Sequence, residues 1–151
     1  MQTGNTIEKI THSAEETYAL GMELAAKAMP GECYALNGDL GTGKTVFTKG
    51  FARGLGITEH VTSPTFTILQ TYEGGRLTLH HMDAYRIEDE DEMEEVGLDD
   101  CLYGGGVCLI EWPERIKGLL PPDTVSITIE KIRDAGPDDR KITITGDKTF
   151  S

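Results

Sequence analysis

The chain has 151 residues, with 38% hydrophobic and 26% charged, so it can fill one core, and we expect a single domain over residues 1–151. Its 26 acidic residues against 14 basic ones give a net charge of −12, which argues against an autonomous nucleic-acid binder that works by counterion release. No apolar run reaches membrane-spanning length, residues 1–30 lack signal-peptide character, and Cys33, Cys101 and Cys108 have neither C-x-x-C spacing nor an even count; a reducing cytoplasm is the expected setting, without zinc or a disulfide framework.

Ser13-Ala14-Glu15-Glu16 reads as a capping box opening a helix over residues 13–29, with Tyr18, Leu20, Leu24 and Ala28 near helical spacing and Pro30-Gly31 as its stop. Cys33–Leu36 is a short buried strand entering a glycine-rich turn. A second helix is expected from Gly43 to about Leu55, carrying Val46, Phe47, Gly50 and Phe51. Thr65–Tyr72 and Arg76–Met82 form two strands of a hairpin turned by Glu73-Gly74-Gly75. Residues 88–100 hold nine acids with a thin apolar side of Met93, Val96 and Leu98, which predicts a surface helix, its acids a solvated face or else an interaction site for a basic partner. Val107–Ile110 is apolar enough for a central strand, and Thr124–Ile129 and Lys141–Thr145 alternate as late strands. The fold class that follows is α/β, with a central and mixed sheet flanked by helices.

Gly38-Asp39-Leu40-Gly41-Thr42-Gly43-Lys44-Thr45 is a complete G-x-x-x-x-G-K-[ST] phosphate loop. Its glycines let successive backbone N–H groups converge on phosphate oxygens, and the following helix turns its positive end toward them. Lys44 supplies a mobile charge for the β- and γ-phosphates, and the Thr45 hydroxyl is placed to ligate magnesium. A second metal anchor usually closes a buried strand; Glu111 closes Val107–Ile110. Asp83 ends the strand that carries Leu77 and Leu79 and is the candidate to orient or deprotonate water. His81 shares a strand face with Asp83 and reads as a packed, hydrogen-bonded histidine. No Asn/Thr-Lys-x-Asp element is present, so ATP is favoured over GTP. The same loop would also suit a small-molecule kinase or a nucleotide-gated binding module.

Asn37–Thr45, Ser63-Pro64-Thr65-Phe66, His81-Met82-Asp83-Ala84-Tyr85-Arg86 and Leu109-Ile110-Glu111-Trp112-Pro113 stand in one order. In that order and spacing the chain resembles the TsaE family, also called YjeE, from about Thr11 to the last strands. The resemblance implies a phosphate-loop ATPase working in threonylcarbamoyladenosine modification of tRNA, with TsaD and TsaB as partners and tRNA met only through that complex. It implies ATP and magnesium as ligands, with weak activity of the subunit alone. On these positions, Asp39, Leu40, Gly41, Thr42, Gly43, Lys44 and Thr45 would hold the phosphates. Thr45 and Glu111 would share magnesium, and Asp83 and Lys44 would be the catalytic pair. Ser63-Pro64-Thr65 resembles a switch-like segment, with Tyr85 and Arg86 near it. Thr11 and Arg133 fall where such proteins contact the nucleotide, and Trp112 is expected to pack under the site.

Overall fold

A computed structural model describes residues 5–38, 42–59, 61, 69–85, 87–89, 91 and 98–146. In chain order the elements are β1 (Asn5–Thr11), α1 (Ala14–Ala26), β2 (Cys33–Asn37), α2 (Lys44–Gly54), β3 (Leu69–Tyr72), β4 (Leu79–Asp83), α3 (Leu98–Tyr103), β5 (Val107–Glu111), the 3₁₀ segment η1 (Pro113–Leu119), β6 (Val125–Lys131) and β7 (Arg140–Gly146). The strands form one mixed sheet of seven in the order β1-β7-β6-β2-β5-β4-β3. Its centre, β6-β2-β5-β4, is parallel, and antiparallel pairs flank it on both sides. This is the α/β class expected from the strand and helix alternation. Among the described residues, no helix is long and apolar enough to cross a membrane.

The central strands are apolar on both faces because both are covered. Tyr34 and Leu36 of β2, Leu79 of β4 and Leu109 of β5 face α1 and α2, together with Phe47 and Phe51. Cys33, Met82, Cys108 and Ile110 face the other way, toward Cys101 and Leu102 of α3 and Ile116 of η1. The Tyr34 and Phe51 rings meet edge to face at 5.1 Å, a favoured arrangement of their quadrupoles. Burial of each large aromatic here stabilises by roughly 1.5–3 kcal/mol.

α1 starts where the sequence says it should. The Ser13 side chain accepts from Glu16 N at 3.1 Å, while Glu16 Oε1 accepts from His12 N at 2.9 Å, one residue before the usual capping-box donor. α1 and α2 touch through glycine: a Cβ on Gly50 would lie 2.1 Å from Tyr18 O, and one on Gly21 2.5 Å from Phe47 O. Side chains at these points would hold the two backbones apart.

Several expectations change. β1 was not foreseen; it pairs with β7 at the sheet edge. The hairpin connection is residues 73–78, longer than Glu73-Gly74-Gly75, and β4 begins at Leu79. The extra residues dock on the helices: Arg76 N donates to Leu55 O at 2.6 Å, and its guanidinium donates to Ala28 O and Ala25 O at 3.0 and 2.8 Å. That pins the end of α1, which stops at Ala26 and not at residue 29. The surface helix expected over 88–100 is corrected at its start, while residues 98–100 are helical. Glu88, Asp89 and Asp91 lie outside any helix, and α3 begins only at Leu98. Like charges four residues apart, as the sequence places at 88 and 92, oppose a helix, and Asp89 Oδ1 instead accepts from Asp91 N at 3.1 Å in a local turn. Positions 92–97 lie outside the described residues, as do positions 65–68 of the expected strand Thr65–Tyr72.

Candidate functional site

β2, β4 and β5 run parallel, so their carboxyl ends deliver Asn37, Asp83 and Glu111 to one edge of the sheet. Such edges are where open α/β sheets take ligands. From Asn37 the chain enters the phosphate loop. Gly38 is needed there because a Cβ would meet Thr42 Oγ1 at 2.8 Å and Ile129 O at 2.9 Å. Gly43, at φ 108°, is the N-cap of α2; it fits the left-handed backbone and carries no side chain to cap the first turn. Asp39, Leu40 and Gly41 of the loop lie outside the described residues, as do Ser63, Pro64, Thr65 and Arg86.

Lys44 opens α2 and is buried, with Nζ 3.9 Å from Glu111 Oε1. The same ammonium lies 4.0 Å from the centroid of the Trp112 ring. Glu111 is buried too, and its Oε2 lies 2.6 Å from His81 Nε2. A carboxylate only accepts, so the imidazole donates from Nε2; Nδ1 has no hydrogen-bond partner among the described residues. The packed histidine read from sequence is therefore bonded to the candidate metal anchor.

Asp83 stands opposite Glu111 in the β4–β5 register, and its Oδ1 accepts from Tyr85 N at 2.9 Å. Partial burial, followed by the charge of Glu111, pushes its carboxyl above the usual aspartate value, against the opposing pull of the Tyr85 N–H, His81 and Lys44. Thr45 is exposed in the first turn of α2. Trp112 takes φ 57°, a conformation that costs a bulky residue on the order of 1–3 kcal/mol. Its ring meets Tyr85 at 4.9 Å and lies beside the lysine, on the lining of the cleft.

A cleft of about 620 Å³ opens over this edge, lined in part by Asn37, Gly38, Thr42, Lys44, Trp112 and Glu114. A smaller recess of about 220 Å³ lies against the other side of the loop, between Thr17, Gly43, Val46, Asp138 and Arg140. Thr11, buried at the end of β1, bonds Thr17 Oγ1 at 2.8 Å behind that recess. Arg133 is exposed in the β6–β7 connection, beyond the end of β6, and is not among the described residues lining either space. Sequence reasoning missed Arg140, whose Nε donates to Thr42 O of the phosphate loop at 2.8 Å. Its only sequence signal is a position at the head of the last strand.

Among the described residues, no three His, Cys, Asp or Glu side chains group as a metal cage. The Thr45 hydroxyl and Glu111 carboxylate are hard oxygen donors, a pair that suits magnesium when phosphates complete its shell.

The model of the family "Threonylcarbamoyl adenosine biosynthesis protein TsaE" matches residues 11–142. The chain belongs to the TsaE family. The matched span contains every candidate residue from Thr11 to Arg133. Bacillus subtilis tRNA threonylcarbamoyladenosine biosynthesis protein TsaE is 53% identical over 135 residues, 89% of this chain and 82% of that protein. The TsaE protein of Treponema pallidum is 44% identical over 135 residues, 89% of this chain and 97% of its own length. The crystal structure of YdiB from Bacillus subtilis superposes with a TM-score of 0.82 at 43% identity, covering 98% of this chain and 90% of that one.

Proposed function

We propose that this TsaE-family chain is a magnesium-dependent ATPase subunit acting in threonylcarbamoyladenosine modification of tRNA, as one cytoplasmic domain working with TsaD and TsaB. The observation that carries the ATPase reading is the meeting of Lys44, Glu111 and Asp83 at one sheet edge, beside a phosphate loop. The names of its relatives carry the pathway.

In this reading the loop from Asp39 through Gly43 wraps the phosphates, and the start of α2 favours their charge. Lys44 leaves Glu111 to meet the β- and γ-phosphates. Thr45 and Glu111 would hold magnesium, which would supply neutralisation of phosphate charge. His81 keeps one Glu111 oxygen occupied, so the other would be the one open to a metal. Asp83 orients water for in-line attack and takes its proton; the raised affinity for that proton suits a base. Thr11, through Thr17 at the smaller recess, and Arg133, from the β6–β7 connection, would meet the nucleoside end.

Lys44→Ala tests the reading. Its charge meets phosphates already in the ground state, so calorimetric titration should show ATP binding lost. Wild-type affinity in that variant would overturn the site. Free phosphate as the product, rising when TsaD and TsaB are added, marks an ATPase. A phosphorylated acceptor would mark a kinase instead.

A further inference from the structure

Trp112 occupies a backbone position that two separate restrictions disfavour. Its φ of 57° lies in the left-handed region, where a side chain crowds the neighbouring carbonyl. It also precedes Pro113, whose ring drives the preceding residue toward extended backbone. A bulky residue persists there only where its surroundings hold it, and such strain gathers at working sites. Here it turns the indole back over the sheet edge, where Lys44 Nζ lies 4.0 Å from the ring centroid and Tyr85 packs against the ring at 4.9 Å.

The lysine's other neighbour is equally informative. Lys44 and Glu111 are both buried, yet Nζ and Oε1 stand 3.9 Å apart, beyond hydrogen-bond length. Opposite charges with so little water around them are drawn together strongly. The gap persists while the indole face shares the ammonium charge and His81 holds the second Glu111 oxygen at 2.6 Å.

We infer that Trp112 is a positioning residue for Lys44: its ring holds the ammonium off Glu111, leaving the lysine aimed at the phosphate loop and the carboxylate open to a metal. The inference rests on the ATPase reading above. A ring face attracts the charge without fixing the direction of any N–H, so the lysine's donors stay available to phosphate. Without the ring, Lys44 closes on Glu111, and both phosphate and metal must then break that pair to bind. The loss should therefore fall hardest on nucleotide binding in the presence of magnesium.

The test compares Trp112→Leu and Trp112→Phe in the full chain, by calorimetric titration with ADP in magnesium and in chelator. Trp112→Leu should weaken ADP binding in magnesium by roughly 3- to 30-fold and shrink the difference between the two conditions. Trp112→Phe, which keeps a ring face, should recover most of both. A second measurement reads the contact itself. As Trp112 is the only tryptophan, Lys44→Met should shift the emission of the nucleotide-free protein, because it takes the ammonium from the indole face while keeping a chain of similar length. An unshifted spectrum, or wild-type affinity and magnesium dependence in Trp112→Leu, overturns the inference. If Trp112→Leu fails to fold, the Lys44→Met spectrum decides. Retained ADP binding in Lys44→Ala would instead sink the nucleotide site, which separates the two failures.

Discussion

Asp83 shows how a site residue works against the fold that holds it. Burial and the Glu111 charge raise its proton affinity in the folded chain, so the folded state binds that proton more tightly than the unfolded one. Ionising Asp83 therefore costs stability at pH above its folded value, and the cost is relieved as pH falls through that value toward the ordinary 3.8. In protein free of nucleotide and metal, Asp83→Asn should raise the thermal midpoint at neutral pH, with the gain fading in acid. Solvent at the half-exposed side chain keeps the effect small. Scanning calorimetry across pH checks it, and equal midpoints at neutral pH would deny the strain. The same variant should cut hydrolysis on the order of 10²–10⁴-fold while leaving ADP binding intact. Lys44, Thr45 and Glu111 stood out as candidates in the sequence because a phosphate loop and a strand-end acid are local patterns. The Trp112 and Arg140 contacts were not: one depends on a single φ angle, the other on where β7 begins beside the loop.

The α1–α2 contact sets a second test. Alanine normally improves a helix over glycine by roughly 1 kcal/mol. At Gly50 the new Cβ would sit 2.1 Å from Tyr18 O, a backbone atom with no rotamer to move. Forcing the helices apart costs typically 1–3 kcal/mol or more, so crowding outweighs propensity. Gly50→Ala should lower stability by roughly 1–2 kcal/mol in urea unfolding, with nucleotide binding per folded molecule unchanged. A stabilised variant would show that the helices separate freely. Helices and buried strands of this kind were readable from periodicity and caps. β1 was not, because an edge strand with Ile7 half-buried and Ile10 exposed carries little alternation. The short α3 falls below the length at which helical period declares itself, and charge count alone carried a helix back over Glu88, Asp89 and Asp91, which lie outside one.

The whole molecule concentrates its candidate chemistry on one sheet edge, while its net charge of −12 is unfavourable to nucleic acid. Holding tRNA by its backbone requires cationic side chains to replace counterions. Fourteen basic residues face 26 acidic ones here, and Lys44 is buried against Glu111 and Trp112. Lys141, on β7 beside the edge strand, already pairs with Glu8 of β1 at 3.3 Å. The isolated chain should therefore fail to retain tRNA in filter binding at physiological salt, and lowering the salt should rescue little, because the long-range field is repulsive. Adding TsaD and TsaB should bring both tRNA retention and a rise in phosphate release, since a partner with basic surface supplies what this chain lacks. The attraction between an acidic subunit and such a partner is electrostatic in its long-range part, so raised salt should slow their association. Tight, salt-sensitive binding of tRNA to the chain alone would contradict the charge argument. It would make this protein an RNA reader and not an ATP-driven accessory.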